Sequence, residues 1–257
     1  MSKIRHLSDS IETDLFCIFD PDLTANQEAC RTIFQLAIEA FRTGEDVLSF
    51  GIIEGADTGT LLAKVVAIDK WYSHRIIRRC LWACGIGITI PGQFFVISAN
   101  LLGNLDPQID SYLDDLVIGW LAWKKDVRVQ RVAVVVGQEH PRSCWASLLT
   151  QRIRWMRGIA SLFGCLSNSP AAIGLLVAHW IAYHGIPIAG LVGTVCLAEI
   201  NFVAGICALV ILGAVVSFCS GRSFRSAAAF LTVFPVIHLF ATVMWWIPLS
   251  RTTLTRR

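Results

Sequence analysis

Charge is what this sequence has least of. Only 16% of its 257 residues are Asp, Glu, Lys or Arg, where an ordinary soluble domain carries about 25%. Hydrophobic residues make up 54%, and the mean hydropathy is +0.59. These figures exclude a disordered chain, a coiled coil and a collagen-like repeat. No paired CxxC motif is present, and the nine cysteines are odd in number and irregularly spaced. Cys80 and Cys84 form a CxxxC without a nearby histidine, while Cys196, Cys207 and Cys219 sit inside apolar runs. That excludes a disulfide framework and a zinc site, and leaves small hydrophobes kept reduced in a cytosol-facing protein. The opening MSKIRHLSDSIETD lacks an apolar h-region, so no signal peptide is expected. Internal repeats and low-complexity segments are also missing. The net charge of +3 is too slight and too scattered for a nucleic-acid surface.

The few charges are unevenly spread. Residues 169–257 hold a single acid, Glu199, and five arginines; the other 18 acids and 17 bases lie before them. A water-facing part is therefore followed by a membrane part. Lys, Arg, Asp and Glu are missing from 159–198, from 200–221 and from 226–250. A helix needs about 20 apolar residues to cross a bilayer, so three spans are expected, near 170–190, 193–219 and 227–249. The first break is placed around His184-Gly185-Ile186-Pro187 and the second at Gly221 to Arg225. Arg152, Arg154 and Arg157, with Arg222 and Arg225, suit the cytoplasmic side. Three crossings would then carry Arg251, Arg256 and Arg257 outside, so the last span is read either as a Pro235-broken re-entrant or interfacial segment or as an exception to that rule. Glu199 and Asn201 are expected mid-membrane, facing a polar cavity or another helix. His179 and His184, five apart, miss the i, i+4 spacing of metal ligands and read as packing or interfacial residues.

The water-facing part alternates strands and helices, which argues for an α/β sheet. Residues 15–19 read as a buried parallel strand, 46–53 as a second and 127–136 as a third. Helices are expected over 25–43, with Asn26 or Thr24 as cap, over 60–79 and over 114–125. Residues 80–98 form a 19-residue run without charge. Its four glycines and Pro91 argue against a span, and for buried strand and loop or a surface lying on the bilayer.

Three constellations carry possible chemistry. Asp20 and Asp22 are separated by one residue at the end of an apolar strand, where open α/β sheets place ligands. Two carboxylates suit Mg²⁺ accompanied by substrate phosphates, though such a pair in a loop is ordinarily just solvated. Asp114 and Asp115 stand together at a helix start, either complementing the helix dipole or supplying a general base. Gln151-Arg152-Ile153-Arg154-Trp155 precedes the first span. It fits an interfacial amphipathic helix with snorkelling arginines, and such a helix can also line an active site.

The ordered set of D-x-D, an acidic pair followed by Leu-x-x-Gly, and Q-x-x-R-W before membrane spans resembles the processive family 2 glycosyltransferases. These include the synthases of cellulose, chitin, hyaluronan and poly-N-acetylglucosamine. Pro91 to Ile97 resembles the family's segment before its acceptor-side loop, and Asp114 to Gly119 its E-D-x-x-x-G pattern with Asp for Glu. Residues 127–136 and His140-Pro141-Arg142-Ser143 resemble the strand and loop leading into Q-x-x-R-W. The resemblance covers roughly residues 3–160. It implies a partial GT-A-like (nucleotide-diphospho-sugar transferase) α/β fold followed by transmembrane α-helices. A catalytic portion would occupy 1–147, an interfacial segment 148–168 and a membrane domain 169–257.

The same resemblance implies inverting transfer from a nucleotide-sugar, UDP-linked, donor to a growing polysaccharide. Asp20 and Asp22 would help hold Mg²⁺ or Mn²⁺ against the diphosphate, and Asp115 would take the acceptor's proton with Asp114 beside it. Gln151 and Arg154 would bond the diphosphate or acceptor, Trp155 would face the acceptor sugar, and Arg152 would snorkel. The implied setting is a bacterial inner (plasma) membrane with the catalytic part cytosolic. In the family, a nucleotide-binding half of roughly a hundred residues precedes the D-x-D, whereas Asp20 is nineteen residues from Met1. A fragment, or a partner subunit supplying that half, is therefore expected, with a poorly active isolated chain. Leu121 stands where many relatives carry Arg. Two alternatives stay open: a glycolipid synthase moving one sugar to a membrane lipid, as ceramide glucosyltransferases do, and a non-catalytic subunit or pseudoenzyme. A transporter is disfavoured, because the spans hold no acid except Glu199 and keep their basic residues at their ends.

Overall fold

The computed structural model describes residues 12–105, 113–166 and 169–244. Five strands form one sheet: β1 (Leu15–Phe19), β2 (Leu23–Ala25), β3 (Val47–Gly55), β4 (Phe94–Ser98) and β5 (Arg128–Glu139), in the order β1-β4-β3-β5-β2. β3 and β5 run parallel, and the other pairs are antiparallel. The mixed α/β class expected of the water-facing part is present.

Helix α1 (Gln27–Phe41) is capped by Asn26, whose side chain accepts from the Ala29 N–H at 3.2 Å. It buries Cys30, Ile33, Ala37 and Ala40 on one face of the sheet, against Val47, Ile53, Phe94, Val96 and Val136. The other face, including Leu48, Phe50, Phe95 and Ile97, packs on α5 (Asp114–Lys124) and α6 (Trp145–Cys165). β4 is covered on both faces, which explains its unbroken apolar run Phe-Phe-Val-Ile. Residues 80–98 thus form the end of a helix, a loop and a buried strand, as the glycines and Pro91 suggest.

β1 differs from expectation. It is an edge strand, antiparallel to β4, with Cys17 and Phe19 exposed, rather than a buried parallel strand. Its only neighbour is β4, so alternate side chains face outward, and short apolar runs alone do not reveal an edge position.

Residues 61–83 form α2 (Leu61–Trp71), a π-helical turn (Tyr72–Ile77) and α3 (Arg78–Ala83) without a break. The short α4 (Ala99–Gly103) follows β4. Beyond α6 come α7 (Pro170–Trp180), a second π-helical turn (Ile181–Gly185), α8 (Ile186–Ile200), α9 (Phe202–Ser220) and α10 (Phe224–Met244). Among the described residues, three helical stretches are long and apolar enough to cross a membrane: Pro170–Ile200, Phe202–Ser220 and Phe224–Met244.

Two span boundaries correct the sequence reading. The chain does not turn at His184–Pro187. Pro187 falls in the first turn of α8, where its missing N–H does little harm, and the widened turn before it carries the helix on. The turn comes at Asn201, which is extended (φ −149°, ψ 104°) and caps α9 by accepting from the Ala204 N–H. Glu199 is therefore exposed at an inter-helix turn and not mid-span. α10 also continues through Pro235 instead of breaking there. Residues 245–257, with Arg251, Arg256 and Arg257, lie outside the described residues. α10 packs on both α2 and α6, joining the membrane helices to the α/β part through Phe230, Phe234, Val65 and Leu148.

Candidate active site

Asp20 follows β1. Its N–H donates to the Gln93 carbonyl at 2.9 Å, tying the strand end to the loop before β4. Its Oδ1 accepts from the Asp22 N–H at 3.0 Å, a local turn that sets the two carboxylates side by side. Asp22 faces Arg142 at 3.8 Å, and both are exposed.

Asp114 and Asp115 open α5. No side chain caps this helix, and Asp115 Oδ1 accepts from the Leu116 N–H at 3.0 Å. The helix can approach the loop closely because Gly119 is bare: a Cβ there would lie 2.1 Å from the Ile88 carbonyl oxygen. Gly92 allows a similar approach, since a Cβ on it would come within 3.3 Å of Asp115 Oδ2. Burial pushes the Asp115 carboxyl up from its ordinary value, outweighing the opposing Leu116 hydrogen bond and the charge of Arg78. A partly shielded carboxylate of raised basicity is what proton abstraction requires.

Gln151, Arg154 and Trp155 project from α6. One cleft of about 250 Å³ is lined by Asp20, Asp22, Asp114, Asp115, Gln151, Arg154 and Trp155 together. Three motifs that lie 92 and 36 positions apart in the chain therefore meet at one place. Gln151 and Trp155 are half-buried and Arg154 is exposed.

Arg152 corrects the sequence reading, because it does not snorkel. It is 3% exposed, and its Nη2 lies 2.6 Å from Asp69 Oδ2. Its guanidinium carbon is 4.1 Å from the Trp155 ring centroid and 5.2 Å from that of Phe234. The helix turns this arginine inward onto α2, and Asp69 provides the counter-charge that makes burial tolerable.

Several residues at the site escaped sequence reasoning. Glu139 ends β5 beside the cleft, accepts from Gln93 Nε2 at 2.5 Å and pairs with Lys70. Burial alone would raise its carboxyl, but the adjacent Lys70 ammonium overcomes this and holds it below the ordinary glutamate range. The available signal was the adjacent Asp69 and Lys70 in Leu61–Trp71, both buried, where the only other charged residue is the half-buried Lys64. Charges in a buried helix demand partners.

The metal expectation can be tested on the donor set. Among the described residues no group of three or more His, Cys, Asp or Glu side chains is placed to hold a metal ion. Asp20 and Asp22 alone do not make a closed site. They fit a divalent cation that completes its oxygen shell from a substrate's phosphates. All nine cysteines are unpaired. Comparison with known proteins finds no matching family model and no matching curated sequence.

Proposed function

We propose that this chain is a membrane-bound inverting glycosyltransferase, moving a sugar from a nucleotide-sugar donor to a growing polysaccharide. The observation that carries this reading is the meeting of Asp20, Asp22, Asp114, Asp115, Gln151, Arg154 and Trp155 around one cleft beside apolar helices. Asp115 accepts the proton of the acceptor hydroxyl as that oxygen bonds to the anomeric carbon. The bond from that carbon to the diphosphate breaks with its electron pair going to the leaving phosphate, inverting the centre. Mg²⁺ or Mn²⁺ at Asp20 and Asp22 would neutralise charge on the diphosphate. Arg154 offers a planar fork to phosphate oxygens, Gln151 a polar contact, and Trp155 an apolar face to a sugar ring. Asp114 adds a second acid at the helix start, where the dipole stabilises negative charge.

The test is UDP release by membranes containing the full chain, supplied with UDP-glucose and UDP-N-acetylglucosamine. Release abolished both by Asp115→Asn and by a chelator is the expected result. No release from correctly inserted protein would overturn the reading for the chain alone. A polymeric product supports a polysaccharide synthase, and a single glycosylated lipid makes it a glycolipid synthase.

A further inference from the structure

Behind Asp115 the cleft continues into an inner cavity of about 100 Å³. Gly92, Gln93, Leu113, Asp115 and Trp155 line both spaces. Its remaining wall comes from α2 and the turn after it, α3, the loop before β4, α5, α6 and the helices Pro170–Ile200 and Phe224–Met244, and the transfer chemistry above makes no use of it.

Three buried cations border this cavity: Lys70, Arg78 and Arg152. Lys70 has Glu139 and Arg152 has Asp69. Among the described residues Arg78 makes no close ion pair, although the Asp115 carboxylate at the mouth of the same cavity feels its charge. It is 7% exposed, with Nη1 2.7 Å from His74 Nδ1 and Nη2 3.4 Å from the Ile90 carbonyl oxygen. Its Nε has no hydrogen-bond partner among the described residues.

His74 cannot supply the missing negative charge. Its Nδ1 also accepts from the Ile53 N–H at 3.2 Å, so that nitrogen carries a lone pair and the ring is neutral. Burial, then the charges of Arg78, Lys70 and Arg75, holds its pKa well below the ordinary value. Three more nitrogens at the same cavity lack partners among the described residues: Arg152 Nε, His179 Nδ1 and His238 Nε2. Thr89 and Tyr183, 3.2 Å apart, add hydroxyls to the wall. A buried guanidinium whose hydrogen-bond partners are all neutral is costly, and its fork geometry matches an oxyanion. The space equals about three water volumes, enough for one small tetrahedral group.

We infer that the inner cavity is an anion site centred on Arg78 and takes a phosphate group of the acceptor. This rests on the transferase reading of the cleft and selects its single-transfer form, with a phosphate-bearing lipid or sugar as acceptor in place of a growing polysaccharide: the acceptor's hydroxyl lies at Asp115 while its phosphate sits one step further in. That phosphate comes either from the head of a membrane lipid or from a water-soluble phosphorylated sugar.

The test is thermal unfolding of the full chain in neutral detergent, titrated with inorganic phosphate against chloride at equal ionic strength. Phosphate is expected to raise the wild-type midpoint, and Arg78→Met to weaken its apparent affinity at least tenfold. Arg78→Met also removes a buried charge that has no close ion-pair partner, so its midpoint without phosphate is expected to equal or exceed wild type. Isothermal titration of the wild type with phosphate gives the affinity independently of whether the variant folds. Phosphatidic acid in neutral-lipid nanodiscs and glucose 6-phosphate in solution then separate the two sources by which binds more tightly. A midpoint and a heat signal indifferent to phosphate, or an equal response from Arg78→Met, would overturn the inference. Because the readout is binding, phosphate-dependent stabilisation in a chain that releases no UDP would count against the transferase reading alone.

Discussion

Arg152 Nη2 lies 2.6 Å from Asp69 Oδ2, joining α6 to α2 directly beneath the Trp155 ring. Both partners are buried, at 3% and 8% exposure. Removing one leaves the other as an unpaired charge in a poorly solvated site, a loss of about 3–5 kcal/mol. Arg152→Gln and Asp69→Asn are each expected to lower the unfolding midpoint sharply. The paired change Asp69→Leu with Arg152→Met should cost less than the sum of the single losses, because no charge is stranded. Arg152→Lys should not rescue, since an ammonium lacks the flat face that stacks on Trp155. Melting curves of the four variants in detergent decide this, and additive losses would refute the coupling.

Asp115 is expected to control turnover through its ionised form. Asp115→Asn should reduce transfer by about 10²–10⁴-fold while leaving the unfolding midpoint unchanged or raised, since a buried charge is removed. Burial raises the pKa of this carboxyl, so the acid limb of the rate profile should have its midpoint above the ordinary aspartate value of 3.8. Activity then increases with pH through that midpoint. The measurement is the initial rate of UDP release against pH. A limb at or below the ordinary aspartate value would remove Asp115 from the role of base.

Local pattern made much of this fold readable. Ala29, Ile33, Leu36, Ala37 and Ala40 recur at helical spacing, and Asn26 is the cap that sequence preferences favour. The charge-free residues 80–98 read as strand and loop because glycines and Pro91 interrupt them. What local pattern did not reveal depends on pairing across the chain. The edge position of β1 follows from sheet order, which no five-residue run encodes. The helix running past Pro187 follows from a widened turn two residues earlier. The inward turn of Arg152 depends on Asp69, 83 residues away. The motif residues were identifiable one by one, but their common cleft exists only once β1, α5 and α6 are packed.

Gly119 gives a stability prediction independent of any activity. A Cβ at this position would stand 2.1 Å from the Ile88 carbonyl oxygen and 2.7 Å from its carbon, both backbone atoms that cannot rotate away. Gly119→Ala must therefore push α5 off the loop before β4, at roughly 1–3 kcal/mol or more. The same displacement moves Asp114 and Asp115 relative to Gly92, so turnover should fall along with the midpoint. Gly103→Ala is the control, since a Cβ there meets nothing within 4 Å and φ is not positive. A midpoint for Gly119→Ala equal to that of the control would show that α5 does not sit this close to the loop.

Glu139 and Asp115 should respond to acid in opposite directions. Glu139 has a folded pKa below the unfolded value near 4.5, owing to Lys70 winning over burial. The stability it contributes is complete above about pH 4.5 and is lost as pH falls through the lower folded value. Asp115 has a folded pKa above 3.8, so between those two values the folded form binds the extra proton and acidification adds stability. Glu139→Gln should cost about 3–5 kcal/mol at neutral pH by stranding Lys70, and it should flatten the loss of stability below pH 4.5. Asp115→Asn should steepen the net loss on acidification, because its compensating gain is gone. Unfolding midpoints of the wild type and both variants from pH 7 to pH 3 test the pair. If Glu139→Gln matched the wild type at pH 7, the Lys70–Glu139 contact would not contribute to holding β5 against α2.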